Sequence, residues 1–361
     1  MKAAVFHQPG TPLTIENIAI SKPGPREVLV RTVAVGMCHS DLHVVDGMLP
    51  IPGPIVLGHE ASGIVEAVGA DVRTVKPGDH VVTCLSVYCG HCSHCLTGRM
   101  TLCVSPETRR SEQEEPRLTY VNKPLPQFVN LSSFAEQMLV HEHAVVSIRR
   151  DMPLDLAALI GCAVTTGAGA AINTANVRPG DTVAVIGCGG IGLSAINGAA
   201  LAGAGRIIAI DRVDAKLELA KQFGATDVIS AADGDVVAQV LEMSKGGVQH
   251  AIECIGLKQT IEQSFAMLNA GGTATVVGLS KPGVKLELDP LAFLQERRIQ
   301  GSRMGSNRFP VDIPKLVDFY LQGRLKLDEM ISQRIRLENI NEGFDELRRG
   351  EMARSVIVFD H

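Results

Sequence analysis

The sequence predicts an α/β protein with a second, mostly β part. Three observations carry that expectation. The chain has 361 residues, more than one ordinary core organises. Between about 164 and 301, short apolar strands alternate with helical stretches, the rhythm of a parallel sheet covered on both faces. The flanking stretches are rich in Val, Gly and Pro and read as short strands broken by turns. The expected architecture is a doubly wound parallel sheet domain inserted in a mostly β domain.

Bulk composition narrows the class. Hydrophobic residues make up 45% and charged residues 20% of the chain, as in soluble globular proteins. A net charge of −5 with no basic tract gives nucleic-acid binding no electrostatic support. No run of about 18 apolar residues is read in the chain, so no membrane span is expected. MKAAVFHQPG reaches a His and a Pro too early for a signal-peptide core. The expectation is a cytoplasmic protein, where thiols stay reduced and clustered cysteines serve metal or catalysis rather than disulfides.

Taken in order, EVLVRTVAV (27–35) and SGIVEAVG (62–69) read as strands, and KPGD (76–79) as a turn. Residues 104–130 are polar, charged and proline-containing, a long surface excursion whose Arg109–Arg110 pair is expected to be a solvated face. From 181 the chain gives DTVAVIG, a Gly-Ala helix, RIIAID, the helix DAKLELAKQFG, DVIS, HAIECIG, the helix KQTIEQSFAMLN and TATVVGL. After about 302 it reads mixed again and ends in the strand-like SVIVFD.

GCGGIG fits G-x-G-x-x-G at Gly187, Gly189 and Gly192, with Gly190 and Ile191 inside it. Alone the pattern is weak, but a strand precedes it and a helix follows. Its glycines allow a tight turn and close approach of backbone to a pyrophosphate at the helix N-terminus. A second strand ends at Asp211, nineteen residues past Gly192. A carboxylate there can bond both ribose hydroxyls and repel a 2′-phosphate, which favours NAD over NADP, although Arg212 beside it could accommodate that phosphate.

CGHCSHCLTGRMTLC (89–103) places Cys89, Cys92, Cys95 and Cys103 in C-x2-C-x2-C-x7-C spacing. Four thiolates close a tetrahedral shell around zinc and leave no open position, so such a site is structural. His91 and His94 are then bystanders. A catalytic zinc needs a vacancy, and candidate donors lie at 37–43, 58–60 and 161–167. Cys84, Cys188 and Cys254 read as small buried hydrophobes.

Together these stretches resemble the zinc-dependent alcohol dehydrogenases of the medium-chain dehydrogenase/reductase superfamily, over essentially the whole chain. The carriers are CHSDLH (38–43), GHE (58–60), the four-cysteine lobe, GCAVTTG (161–167), the glycine fingerprint with Asp211, and INEGFDELRRGEMAR (340–354). The resemblance implies a GroES-like catalytic domain, residues 1–163 and 302–361, interrupted by a Rossmann NAD-binding domain, residues 164–301. It implies two zinc ions per chain. Cys38, His59 and Cys162 would hold the catalytic one, with Asp41 orienting His59 and Glu60 beneath the metal. Ser40 would take the alcohol proton and His43 pass it towards solvent. Thr166, Asp211 and Arg354 fall where the family contacts NAD, with Arg354 near the pyrophosphate; Val277 and His39 complete the expected cofactor set. His39 stands where many relatives carry an Arg, so a looser grip on the cofactor is implied. Met48, Leu85, Phe128, Val129, Leu279 and Met304 are expected to line an apolar, fairly roomy substrate pocket.

The resemblance implies hydride transfer between a primary or secondary alcohol and NAD, giving an aldehyde or ketone, in a homodimer or a tetramer. Neighbouring readings are a polyol dehydrogenase, disfavoured by Cys162, a glutathione-dependent formaldehyde dehydrogenase, and a nicotinoprotein that retains its cofactor. A non-catalytic binding relative is disfavoured because Cys38, Ser40, His43, His59, Glu60 and Cys162 are all present.

Overall fold

The computed structural model describes residues 1–111, 113–350 and 354–360. Residues 351–353 of the 340–354 stretch and Glu112 of the excursion lie outside the described residues. The chain forms two compact units. The first holds Met1–Cys162, Arg308–Gly323 and Leu327–His361; the second holds Ala163–Asn307 and Arg324–Lys326.

The first unit is built on an open sheet. Its strand order is Val145–Ser147, His80–Thr83, Glu60–Val68, Glu27–Gly36, Arg354–Val358, Ile331–Ile335, with Gln137–His141 also pairing Glu27–Gly36. The ladders are antiparallel except between the last two strands. Burial alternates along strand Glu27–Gly36 from Val28 to Ala34, and Val28, Val30 and Val35 enter a core with Phe6, Met37, Leu57, Phe134 and Phe344.

Register does most of the positioning. Gly36 pairs with Glu60, so Cys38, just past one strand, meets His59, just before the other. Gly36 also pairs with Val356, which brings Arg354 to the same corner.

The second unit is a six-stranded, wholly parallel sheet. Its order is Asp227–Ser230, Arg206–Asp211, Thr182–Ile186, Val248–Glu253, Leu268–Val276, Arg298–Gly301. In chain order that is 3-2-1-4-5-6, the doubly wound arrangement, with its switch point between the first and fourth strands. Ile186, Ile208, Ile210, Ala251 and Phe265 lie in its core. The unit continues to Asn307, beyond 302, because the turn Met304–Ser306 packs against helix Thr165–Gly169. A Cβ on Gly305 would lie 2.3 Å from Thr165 O.

Three expectations need correction. The stretch Leu154–Thr174 is 21 residues long with mean hydropathy 1.6, long and apolar enough to cross a membrane by length and composition. It is 89% buried within the protein and includes two π-helical turns, so its apolarity serves the core. Helix Val236–Met243, not foreseen, is started by Asp235, whose carboxylate accepts the Val237 and Ala238 N–H groups. Arg110 is not a solvated face: its side chain is 13% exposed and ion-paired to the buried Glu27, while Arg109 is exposed as expected.

Candidate active site

Cys38 caps the helix His39–Val45, which carries Ser40, Asp41 and His43. His59 follows Gly58, whose φ of +88° and contact with Phe134 exclude a side chain; an added Cβ would lie 2.7 Å from Phe134 N. Cys162 lies in the π-helical turn Ile160–Val164. Gly161 before it lets that turn approach the sheet, since a Cβ there would lie 2.6 Å from Thr83 O.

These three segments bring the donor atoms of Cys38, His59 and Cys162 within 4.8 Å of one another, all buried. Cys162 Sγ is 3.3 Å from His59 Nε2. On its other side His59 Nδ1 faces Asp41 Oδ1 at 3.1 Å, and the same oxygen accepts Gly58 N–H at 3.0 Å. Two sulfurs and an imidazole held by a carboxylate on its far nitrogen fit zinc in an open-sided site. The hydrogen bond to Cys162 draws the Cys38 thiol well below the usual thiol value against burial, with help from His59 and Arg354. The same bond, with burial, pushes Cys162 up. Burial opposes a charged His59, but Asp41 and Cys38 outweigh it and hold the imidazole well above its ordinary value. The donor set thus suits a cation.

Glu60 is fully buried, with Arg354 Nη1 3.5 Å from its Oε2. Arg354 is itself buried and donates to Met37 O at 2.7 Å. Its guanidinium therefore lies behind the cysteine cluster. Ser40 and His43 are half-buried and His39 is exposed, its ring 6.4 Å from that of His43. Burial holds His43 below the ordinary histidine value, against the pull of Cys38 and Asp46.

In the cysteine-rich lobe, Cys89, Cys92, Cys95 and Cys103 converge. Their Sγ atoms lie 3.5 Å (92 to 95), 3.8 Å (89 to 95) and 3.9 Å (92 to 103) apart. A tetrahedron with sulfurs about 2.3 Å from its centre has edges of about 3.8 Å, so the set fits zinc. Burial opposes a thiolate at Cys89, but N–H groups of His91 and Cys92 draw its thiol down to about 6; burial pushes Cys95 up to about 12. His91 points to Glu107, 3.4 Å away, and with it and Cys89 forms a poorer, exposed alternative set.

In the second unit, Gly187 has φ +92°, and a Cβ on Gly192 would fall 1.7 Å from Gly187 O. A Cβ on Gly189 would meet nothing within 4 Å. The turn is closed on its protein side and open on the other, a cradle that fits a pyrophosphate at the start of helix Gly190–Leu201. Asp211 Oδ2 accepts Cys188 N–H at 2.7 Å and Oδ1 accepts those of Arg212 and Val213, which ties the turn to the second strand. Thr166 is buried and donates to Met304 Sδ at 3.4 Å, and Val277 N–H donates to Glu253 O.

The expected pocket residues divide between the units. Phe128 sets its ring edge against His59, centroids 5.8 Å apart, and Leu85 and Val129 pack in the same apolar cluster. Met48 is half-buried in the first unit, whereas Leu279 and Met304 belong to the second.

Sequence reasoning passed over Glu253. It ends the parallel strand Val248–Glu253, is fully buried, and its Oε1 accepts from Ile255 N–H, Gly256 N–H and Thr260 Oγ1. An acidic residue closing a strand beside the switch point, after Ala251 and Ile252, was the available signal.

Residues 24–150 match the alcohol dehydrogenase GroES-like domain, and residues 190–322 match the zinc-binding dehydrogenase domain. A crystal structure of an alcohol dehydrogenase zinc-binding domain protein from Burkholderia ambifaria is 38% identical, with 100% of this chain and 99% of that chain covered and a TM-score of 0.95. The chain belongs to the zinc-dependent alcohol dehydrogenases of the medium-chain dehydrogenase/reductase superfamily. Within that family it is also similar to benzyl alcohol dehydrogenase from Acinetobacter calcoaceticus, at 36% identity, 99% coverage of both chains and a TM-score of 0.94. A protein from Sinorhizobium meliloti 1021, solved bound to NADP, is 30% identical over 99% of both chains with a TM-score of 0.83. Family membership makes the chain an oxidoreductase that uses zinc and a nicotinamide cofactor.

Proposed function

We propose that the chain oxidises primary, preferentially aromatic or medium-chain, alcohols to aldehydes with NAD, and runs the reverse reduction. The observation that carries this reading is the buried convergence of Cys38, His59 and Cys162 with Asp41 on the far side of the imidazole. The apolar ring of Phe128 beside His59 and the similarity to a benzyl alcohol dehydrogenase support the substrate class.

Cys38, His59 and Cys162 would hold one zinc, and the four cysteines of the lobe a second. When bound, zinc supplies the Lewis acidity that lowers the pKa of an alcohol hydroxyl, and a nicotinamide supplies the hydride acceptor. Asp41 keeps His59 Nδ1 engaged, so Nε2 stays turned to Cys162. Ser40 relays the alcohol proton and His43, half-buried and held by burial below the ordinary histidine value, passes it to water. Glu60 and Arg354 back the cluster with a buried ion pair. The glycine turn receives the pyrophosphate, with Thr166 and Val277 further along the cofactor. Asp211 receives the adenosine ribose and disfavours a 2′-phosphate; the exposed Arg212 leaves NADP as the competing cofactor to test.

The clustered cysteines, spaced and converging as metal ligands, support a reducing, cytoplasmic setting. A homodimer is supported by the edge position of strand Arg298–Gly301, which among the described residues pairs only with Leu268–Val276, and by the exposed Leu291, Phe293 and Leu294 that precede it.

The test is NADH formation from benzyl alcohol and a series of linear alcohols, with metal analysis. About two zincs per chain are expected, with turnover lost on chelation and NADP poorer than NAD. Silence across the series at full zinc content would overturn the reading.

A further inference from the structure

The excursion 104–130 is fastened to the first unit by a buried ion cluster. Glu27 is 5% exposed and stands between two guanidinium groups. Arg110 Nε reaches both its oxygens, at 3.0 and 3.1 Å, and Arg117 Nε reaches Oε1 at 2.6 Å. Arg110 also donates to Ser21 Oγ, Lys22 O and Glu115 O, so the cluster joins three chain segments.

From Arg117 the connection runs on. Its Nη2 donates to Thr108 O and its Nη1 to Gln127 Oε1 at 3.0 Å. The Gln127 amide donates in turn to Leu139 O at 3.0 Å and Leu131 O at 3.3 Å.

Gln127 opens a turn whose backbone is unusual. Val129, Asn130 and Ser132 have φ of 44°, 64° and 60°. For a β-branched valine that region is a real outlier, and such strain persists only where the surroundings over-determine it. Here they do. Phe128 N–H donates to Ser132 Oγ, which donates to Val56 O; Leu131 and Ser132 N–H groups return to Phe128 O. Ser133 and Phe134 N–H groups then bond Gly58 O and Leu57 O, on the segment that carries His59. The product of this strain is the placement of Phe128, edge-on to the His59 ring.

We propose that Glu27, Arg110, Arg117 and Gln127 form a positioning relay that holds the Phe128–Ser132 turn against His59 and thereby sets substrate choice, favouring unbranched and aromatic primary alcohols over secondary ones. A fixed aromatic wall beside a metal ligand would narrow the space around the carbinol carbon, and a branch there would add a methyl against that wall. The inference rests on the alcohol dehydrogenase reading above.

Gln127→Ala removes the bonds to Arg117, Leu131 and Leu139 while leaving Glu27, Arg110, Arg117 and Phe128 themselves in place. In the zinc-loaded enzyme, the preference for benzyl alcohol over 1-phenylethanol, as a ratio of kcat/KM, should fall about tenfold, mostly through a higher KM for benzyl alcohol. Zinc content should match wild type. Hydrogen–deuterium exchange of the peptide spanning 127–132 should accelerate. Gln127→Glu, which keeps an acceptor for Arg117, should restore part of the ratio. An unchanged ratio, with or without faster exchange, overturns the specificity claim, and unchanged exchange overturns the relay. Loss of zinc with a uniform loss of kcat also overturns it, by placing the effect at the metal. Wild-type protein that holds zinc yet oxidises neither alcohol would sink the functional reading, and the exchange result would still decide the relay.

Discussion

His141 illustrates how one residue couples the first unit to pH. It is 3% exposed; its Nδ1 accepts His143 N–H, and its Nε2 has no hydrogen-bond partner among the described residues. Burial, with His143, Arg26 and Arg117 nearby and only Glu142 opposing them, brings its pKa down from 6.5 to about 4. The unfolded chain takes up this proton near pH 6.5 and the folded chain only near 4. Within that window the unfolded state holds more protons, so acid removes stability progressively and the contribution is flat below it, up to about 3 kcal/mol in all. His141→Leu should flatten the melting-temperature profile between those limits. A profile as steep as wild type would assign the acid sensitivity elsewhere.

At the scale of elements, the lobe 89–103 has little core of its own. It holds only short helical turns, Ser93–Leu96 and Met100–Leu102, with Leu96 and Leu102 exposed. Its order must come from the four converging thiols. Cys89→Ser should therefore release one zinc, open the lobe to proteolysis and lower the melting temperature. Cys38→Ser should release the other zinc and abolish turnover with the lobe still protease-resistant. Equal protease sensitivity in the two variants would contradict the division of labour. This element was legible in the sequence because the ligand spacing is local. The excursion beside it was not: Arg110 lies 83 positions from Glu27, and nothing local marks a guanidinium whose partner is so distant. Likewise Val129 gives no sequence sign of a left-handed backbone, since that conformation is imposed by bonds to Val56 and Gly58. Helix Val236–Met243 was missed because eight residues give a weak period.

Across the whole molecule, most of the parallel sheet was readable because strands such as Thr182–Ile186 and Arg206–Asp211 are short, largely apolar runs between turns, whereas Arg298–Gly301 is largely polar and was not foreseen. What sequence periodicity cannot give is register, and register assembles the cysteine cluster through the pairing of Gly36 with Glu60. Nor does periodicity separate a buried helix from a membrane-length one, so Leu154–Thr174 needed its burial to be interpreted. Assembly follows from what the sheet leaves uncovered. Among the described residues, strand Arg298–Gly301 pairs on one side only, with Leu268–Val276. Just before it, Leu291 is 69% and Leu294 81% exposed, with Phe293 at 45%. An apolar patch beside an open strand edge is a surface that a second copy would cover. Because these leucines contribute little to the monomer's core, replacing both with lysine should cost the fold only about 1 kcal/mol. Wild-type protein at micromolar concentration should scatter light as a dimer. The Leu291→Lys, Leu294→Lys variant should scatter as a monomer with an unchanged circular dichroism spectrum. A variant that remains dimeric would move the interface elsewhere, and a monomeric wild type would remove the dimer itself.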